Sequence, residues 1–413
     1  MQVIMGLIGI AVILLIAFAL CENRSAIRYR TVILAFAIQA GLGLFVLYVP
    51  FGRHLLLGMS SGVQSVLDAG NAGISFLFGG LASDQMFEVF GNGGFVFALR
   101  VLPIIVFFSS LIAVLYYIGV MRWVINILGG FLQKVLGTSR PESLNAAANI
   151  FVGQTEAPLV VRPFIATMTR SELFAVMTGG LASVAGSVLG GYAALGVSLD
   201  YLIAASFMAA PGGLLMAKLM IPETEKAYQK LDDVEAKIEN KAANVIDAAA
   251  EGASSGLQLA LNVGAMLLAF IALIALINII LEGAGNLFGF DGITLQLLLG
   301  YCFAPLAFLI GVPWNEAITA GSFIGQKLVL NEFVAYVGFA QVQEQLSQHT
   351  QAIITFALCG FANISSIAIL MGGLGVLAPE RRSDVARLGV KAVIAGTLSN
   401  LMSATLAGIF LVL

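Results

Sequence analysis

The hexapeptide GQTEAP at 153–158 sets an amide, a hydroxyl and a carboxylate side by side in a chain where only 10% of residues are charged. Glu316 and Glu332 stand in other apolar stretches. Each carboxylate could contact a ligand, cap free amides at a broken helix end or pair with a cation such as Lys327. These readings are balanced for Glu316. Ligand contact is favoured for Glu156 and Glu332, because each lies among other hydrogen-bonding side chains and has no adjacent basic residue to neutralise it.

Neutral polar side chains accompany these carboxylates. They are Asn149, Gln154, Thr155, Asn363, Ser365 and Ser366. Amides and hydroxyls both donate and accept, so this set suits an uncharged solute rich in hydroxyls and amides. The serine hydroxyls have an alternative partner in the carbonyl one helical turn earlier. Asn149 and Ser183, with carbonyls freed where helices break, are candidate oxygen ligands for a small hard cation.

Catalytic motifs give no support for an enzyme. The stretch GASSG at 252–256 fits the serine-hydrolase pattern but lies in a helical linker, and the chain has only 2 histidines. No zinc-protease helix motif and no phosphate-binding loop occurs in the sequence. A net charge of −3 with scattered basic residues also excludes a nucleic-acid footprint.

The composition is that of a polytopic membrane protein. The 413 residues are 59% apolar, and the mean hydropathy is +0.98. Runs long enough to span hydrocarbon predict about eight transmembrane helices. They lie at 3–20, 31–50, 97–120, 173–195, 201–220, 257–281, 352–377 and 391–413. The first run is interpreted as a span, since it lacks the basic leader of a signal peptide.

Basic residues predict the orientation in the bilayer. Clusters follow the first and fifth spans and precede the last one. Their members are Arg24, Arg28, Arg30, Lys218, Lys226, Lys230, Lys237, Lys241, Arg381, Arg382, Arg387 and Lys391. Because basic loops stay in the cytoplasm, we expect a cell (inner) membrane protein with both termini outside the cytoplasm.

Two segments do not fit single spans. Residues 123–170 and 293–345 are apolar but broken midway by glycine, proline and polar residues, which predicts two re-entrant hairpins. The span after each is also interrupted, and GGLASVAGS (179–187) aligns without gaps with CGFANISSI (359–367). The hairpin tips are aligned as TEA (155–157) with NEA (315–317). The first hairpin starts on the cytoplasmic side and the second outside, which predicts an inverted internal repeat, as in secondary transporters.

The expected fold is therefore all-α, with about eight spans, two hairpins and two interrupted helices. Four parts are predicted. They are scaffold helices and an interfacial segment (1–122), the first repeat (123–220), a charged cytoplasmic linker with the sixth span (221–292), and the second repeat (293–413).

Three blocks resemble one family. GQKLVLNEFVAY (325–336) is similar to the pattern G-x-K-x-x-x-N-E-F-V-A-Y of concentrative nucleoside transporters, and GQTEAPLVVRPF (153–164) and CGFANISSIAIL (359–370) resemble two further blocks. The resemblance is strongest over 145–195 and 300–375, and the length resembles that of short bacterial members. It implies a homotrimer in the lipid bilayer, with one substrate pocket in each protomer.

Residue roles follow from this resemblance. Gln154, Thr155, Glu156 and Val188 match nucleobase contacts; Glu332, Asn363 and Ser366 match ribose contacts; Leu259 and Phe361 match apolar walls. A co-transported sodium ion is implied at the side chains of Asn149 and Ser183 and the carbonyls of Val152, Ser183 and Val184.

The resulting expectation is sodium-coupled import of nucleosides such as uridine by alternating access. Three alternatives stay open. They are a proton-coupled nucleoside symporter, a symporter of another polar solute on the same architecture, and a channel or non-transporting receptor.

Overall fold

The computed structural model describes residues 2–83, 85–90, 94–225 and 242–413. Every regular element in these ranges is helical, which confirms the predicted all-α class. Four of the lysines used to orient the chain fall at 226–241, outside the described residues, as does part of the predicted charged linker.

The first part of the chain contains long apolar helices joined by short ones. These are α1 (Gln2–Ala19), α2 (Tyr29–Leu47), α3 (Pro50–Phe78), α4 (Gln85–Phe90), α5 (Phe97–Arg100) and α6 (Leu102–Tyr117), with 3₁₀ turns at Arg24–Ala26 and Gly79–Ala82. Proline occupies the first turn of α3 and of α6, where its missing N–H leaves no hydrogen bond unmade.

The next part holds the first interrupted region. Its helices are α7 (Val120–Leu136), α8 (Arg140–Ala148), a 3₁₀ helix (Ala157–Val161), α9 (Arg162–Ile165), α10 (Arg170–Ala182), α11 (Gly186–Ala194) and α12 (Leu199–Met220). Gly137 links α7 to α8 with φ +67°, a conformation that favours glycine. Thr169 and Glu172 form a reciprocal capping box at the start of α10, where their backbone amides donate to each other's side chains.

The second half of the chain begins with the 43-residue helix α13 (Val245–Leu287). It is followed by α14 (Leu295–Leu309), α15 (Trp314–Val329), α16 (Glu332–Val342), a 3₁₀ turn (Gln343–Gln345), α17 (Gln348–Leu358), α18 (Ser365–Leu377), a 3₁₀ turn (Pro379–Arg381) and α19 (Arg382–Val412). The chain turns by 115° between α14 and α15, where Gly311 has φ +107°.

The helices agree with a multi-pass membrane protein. Among the described residues, 7 helices are long and apolar enough to cross a membrane, or up to 8 if the bent pair α14–α15 forms one span. The predicted fourth and seventh spans are both interrupted, the fourth as α10 and α11 and the seventh as α17 and α18. The prediction of about eight apolar spans is therefore confirmed in outline.

Burial separates central from peripheral helices. In the most apolar windows of the α10–α11 segment and of α12, 94% of residues are buried, against 17% for α13 and 22% for α1. The last helix, α19, is 83% buried on the same measure. The peripheral helices consequently present apolar surface outward, as helices facing lipid do, while the interrupted helices are enclosed by protein.

One predicted alignment is wrong. Glu316, aligned above with Glu156 as a hairpin tip, lies in the first turn of α15, where its carboxylate accepts from the amide (3.1 Å) and hydroxyl (2.8 Å) of Ser347. The break that faces the centre is at 330–331, between α15 and α16. There Asn331 Oδ1 accepts from the amide of Val334 at 2.8 Å and caps α16. Glu332, and not Glu316, therefore opens the second inward-facing segment.

The polar connections gather on one face of the protein. Glu22, between α1 and α2, accepts from Arg170 (2.9 Å) and Lys391 (2.6 Å). Partial burial opposes ionisation there, but these two hydrogen-bonded cations lower the pKa of Glu22 below its usual value. Arg381 donates to the carbonyl of Met168 at 2.6 Å on the same face. Arg381 and Lys391, two described basic residues of the last predicted cluster, thus lie at the same end of the bundle as Glu22 and Arg170.

Candidate binding site at the broken helices

The two interrupted helices meet at their breaks. α10 ends at Ala182 and the chain runs extended through Ser183 before α11 begins. The break after α17 approaches it so closely that the amide of Phe361 donates to the carbonyl of Ser183 at 3.1 Å. A helix break leaves backbone groups without intrahelical partners. Here an amide of one break donates a hydrogen bond to a free carbonyl of the other.

The loop after α8 packs against the first break. The amide of Gly186 donates to the carbonyl of Phe151 at 2.9 Å. Gly180 lets the two segments touch, because a Cβ there would lie only 2.8 Å from Gln154 Cβ. The loop is also braced internally, since the amide of Gly153 donates to Glu156 Oε2 at 3.1 Å. This packing holds Gln154, Thr155 and Glu156 beside the break.

A cavity lies between the loop, the two breaks and α13. All nine residues predicted to contact a substrate line it, namely Gln154, Thr155, Glu156, Val188, Leu259, Glu332, Phe361, Asn363 and Ser366. Others lining it were not singled out in advance, among them Val263, Met266, Leu267, Asn331, Phe333 and Ile369. Glu156 and Leu259 also border a neighbouring cavity that reaches Tyr116 and Glu251. The structure therefore brings together residues separated by up to about half of the chain.

Glu332 is held by two donors. Tyr192 donates its hydroxyl to Oε1 and Asn363 donates its amide to Oε2, both at 3.1 Å. The same Asn363 accepts through Oδ1 from the amide of Ser366 (2.9 Å) and the hydroxyl of Ser365 (2.7 Å). Each carboxylate oxygen has further lone pairs, so this network fixes an acceptor-rich group at the cavity wall.

Tyr192 was missed at the level of sequence. It is fully buried in α11, and its ring packs against Tyr336 (4.3 Å between centroids) and Phe333 (4.9 Å). A tyrosine in an apolar helix gives no spacing signal, because its partner Glu332 is 140 positions away. Only the packing of α11 against α16 identifies it as a residue that positions the carboxylate.

The first loop is less fully bonded. Gln154 Nε2 donates to Ser366 Oγ at 3.4 Å, while Gln154 Oε1 has no hydrogen-bond partner among the described residues. Gln154 is only 5% exposed. A buried unsatisfied acceptor is costly, so a ligand donor at this position would stabilise it.

The residues predicted to bind a cation adjoin this loop. Asn149 is 1% exposed and donates through Nδ2 to the carbonyl of Asn145 at 2.9 Å, which leaves Oδ1 without a partner in the described ranges. A Cβ on Gly179 of α10 would be 3.1 Å from Asn149 Nδ2. Ser183 Oγ donates to the carbonyl of Gly179 at 3.0 Å, the back-bonding arrangement considered above. Its lone pairs stay free to accept.

Val152 and Val184 complete the predicted cation set and are buried beside it, at 2% and 0% exposed. The described residues contain no group of three or more histidine, cysteine, aspartate or glutamate side chains that could hold a metal. The oxygen donors at Asn149 and Ser183 are instead neutral amide and hydroxyl groups. Such donors fit a hard, weakly charged cation better than a transition metal.

Comparison with known protein families matches almost the whole chain. Residues 201–408 match the family model described as the C-terminus of Na+ dependent nucleoside transporters, and residues 8–81 match the corresponding N-terminal model. Residues 98–199 match a third model, described as nucleoside recognition.

Individual relatives match nearly the whole of this chain. The chain is 54% identical to "Nucleoside permease NupC" of Helicobacter pylori, covering 98% of this chain and 97% of that protein. It is 40% identical to "Sodium/nucleoside cotransporter 1" of Mus musculus, covering 98% of this chain and 63% of the relative. Among solved structures, CNTnw in an inward-facing substrate-bound state is 63% identical, with a TM-score of 0.96 over 99% of this chain and 98% of that one.

Proposed function

Because the chain belongs to the family of Na+-dependent nucleoside transporters, we propose that it imports nucleosides by symport with sodium. The observation that carries this proposal is that both polar sets, one from the first loop and one from the second break together with Glu332, line the same cavity. The family is one of transporters and not of enzymes. We accordingly interpret the fold as that of a transporter.

Ribose binding is assigned to Glu332, Asn363 and Ser366. A ribose hydroxyl donates one hydrogen bond and accepts others, so a carboxylate beside an amide and a hydroxyl is complementary to it. Tyr192 and Asn363 hold both oxygens of Glu332 in place before any sugar arrives. This preorganisation lowers the cost of ordering the site on binding.

Nucleobase binding is assigned to Gln154, Thr155 and Glu156, with Val188 beneath the base. The unpaired Oε1 of Gln154 offers an acceptor for a base N–H, and Gln154 Nε2 offers a donor. Leu259 and Phe361 supply the apolar walls. Uridine is the probe of choice, since its base presents both a donor and acceptors.

Sodium is assigned to the side chains of Asn149 and Ser183 and the carbonyls of Val152, Ser183 and Val184. The partnerless, buried Asn149 Oδ1 supports this assignment because a cation would satisfy it. Binding at this place would order the loop that carries Gln154, so that ion and solute bind cooperatively. Each sodium ion entering down the membrane potential contributes about 2.3 kcal/mol per 100 mV.

Transport would proceed by alternating access in the cell membrane, with both termini outside the cytoplasm. We assign the moving unit to 123–220 and 293–413 and the scaffold to 1–122 and 221–292. The burial of α10, α12 and α19 and the outward apolar surface of α1 and α13 support this division. The inverted repeat rests on the internal alignment and the predicted orientation of the two segments, and the homotrimer rests on the family resemblance. Light-scattering mass of the detergent-solubilised protein would test the trimer.

Uptake of radiolabelled uridine into proteoliposomes tests the proposal. Accumulation with an inward sodium gradient, and not with an equal inward proton gradient, is expected. Uptake with protons alone would keep the nucleoside site but remove the sodium assignment. Current without saturable uptake would favour a channel, and binding without accumulation would favour a receptor. Empty liposomes and the Glu332→Gln variant serve as controls.

A further inference from the structure

Asn400 joins the two helix breaks with one side chain. It lies in α19 and is 2% exposed. Its Nδ2 donates to the carbonyl of Ala182 at 2.6 Å and to the carbonyl of Cys359 at 3.0 Å. Ala182 is the last residue of α10 and Cys359 directly follows α17. The carbonyls at a helix C-terminus lack intrahelical donors, so Asn400 caps both broken helices together.

Lys327 sets the orientation of this amide. Its Nζ donates to Asn400 Oδ1 at 2.7 Å and to the carbonyl of Ala357, also at 2.7 Å. Lysine donates and does not accept, so the oxygen of Asn400 must face Lys327 and the amide N–H groups must face the two breaks. Lys327 is 2% exposed and belongs to α15, the helix that leads to Glu332.

Two glycines let the surrounding backbone pack closely around Asn400. A Cβ on Gly360 would collide with Asn400 Oδ1. One turn earlier in α19, a Cβ on Gly396 would lie 2.9 Å from Leu181 Cβ and 3.2 Å from Ala362 Cβ. Because glycine at both positions has no side chain, the backbone of α19 can pack directly against both breaks. The Asn400 amide is thus the direct polar connection from α19 to each of them.

We propose that Asn400, oriented by Lys327, is a positioning residue that couples sodium binding at the first break to nucleoside binding at the second. This inference rests on the proposed sodium-coupled function. Ala182 immediately precedes Ser183, which is assigned to sodium, and Cys359 lies two residues before Phe361 in the segment assigned to the nucleoside. The Phe361–Ser183 backbone hydrogen bond runs parallel to this link.

The thermodynamic consequence is a loss of linkage when Asn400 is removed. Coupling requires that the ligand at one site favours the same arrangement that the other ligand favours. A side chain bonded to both breaks enforces a common arrangement. Without it, the two breaks are joined less tightly, through the Phe361–Ser183 backbone hydrogen bond, and occupancy at one site has less influence on affinity at the other.

Calorimetric binding of uridine to the purified full-length protein, in sodium buffer and in choline buffer, tests this role. For the wild type we expect sodium to raise uridine affinity by about 5- to 150-fold, the usual range of coupling. In Asn400→Ala this ratio is expected to fall towards one. A merely structural role would weaken binding equally in both buffers and leave the ratio unchanged.

Two further variants make the test decisive. Gly360→Ala displaces the Asn400 amide without deleting it, and is expected to lower the same ratio even where Asn400→Ala does not fold. Ser403→Ala is the matched control, since it removes another buried hydrogen bond of α19, from Gln39 at 2.9 Å, away from the breaks. Gln39 Nε2 keeps a second acceptor there, the carbonyl of Ser399 at 3.4 Å. The control should retain the wild-type ratio.

The outcomes separate the two proposals. If sodium raises uridine affinity in the wild type, and both Asn400→Ala and Gly360→Ala show the same ratio as the wild type, the role of Asn400 is overturned while the proposed sodium coupling stands. A ratio lost equally in Ser403→Ala would also overturn it, because any disturbance of α19 would then suffice. A wild type that binds uridine equally in both buffers would overturn the proposed sodium coupling, and with it this role.

Discussion

The two breaks differ in how much of their polar chemistry the protein itself satisfies. Beside the second break, Glu332 has a donor on each oxygen, and Lys327 Nζ donates to the carbonyl of Ala357 near the end of α17. At the first break, Asn149 Oδ1 and Gln154 Oε1 have no partner among the described residues. The polar groups around the second break are thus largely paired within the protein, whereas those beside the first leave acceptors for an ion and a base to fill. This contrast supports the proposal that sodium binds at the first break and that the preformed sugar site lies at the second.

The largest effect is expected when the negative charge of Glu332 in the proposed sugar site is removed. Glu332→Gln replaces an acceptor-only carboxylate with an amide that can satisfy only one of its two present donors. Hydrogen bonds to charged groups contribute about 1.5–3 kcal/mol each, so we expect uridine affinity to fall by about 100-fold or more. Calorimetry measures it, with elution as a single species as the folding control. Near-wild-type affinity would contradict the ribose assignment.

Removing the side-chain ligands of the proposed sodium site should weaken sodium binding first. In Asn149→Ala combined with Ser183→Ala, two side-chain oxygens are lost from the proposed sodium shell. We expect the sodium concentration for half-maximal uridine uptake to rise by about 10- to 100-fold, corresponding to roughly 1 kcal/mol for each lost ligand. Sodium titration of uptake in proteoliposomes measures this shift. An unchanged sodium response would place the cation elsewhere or make it a proton.

A change in the ligand tests the preformed site without any mutation. 2′-Deoxyuridine lacks one hydroxyl, so a buried partner among Glu332, Asn363 and Ser366 would lose its hydrogen bond. The cost is about 1.5 kcal/mol, or roughly 10-fold weaker binding than uridine. Competition against labelled uridine gives the ratio. Equal affinity for the two ligands would mean that the sugar is not held by this set of residues.

The smallest effect separates positioning from contact. Tyr192→Phe removes one donor to Glu332 and keeps the ring packing against Phe333 and Tyr336. We expect uridine binding to weaken by about 1 kcal/mol, or near 5-fold. The sodium concentration for half-saturation should change little, because Asn149 is left intact. A loss as large as that of Glu332→Gln would show that the tyrosine hydroxyl itself contacts the ligand.

Sequence patterns were most informative where the physics is local. Apolar runs located most of the spanning helices, and the matching stretches GGLASVAGS and CGFANISSI located both interruptions. The alignment of Glu316 with Glu156 failed, because proline and glycine near 311–313 mark a turn between α14 and α15 and not the inward-facing break. The break at 330–331 lacks both residues, and only the capping asparagine signals it.

The sequence by itself determined that this is an all-helical, multi-pass membrane protein of the nucleoside transporter family, because hydropathy and short motifs are properties of neighbouring residues. Tertiary structure alone decided which polar groups face one another. Tyr192 reaches Glu332 across 140 positions, and Asn400 reaches Ala182 across 218. Such pairs leave no spacing signal, since their contact depends on how separate helices pack, and close packing at glycines such as Gly360 and Gly396 fixes it.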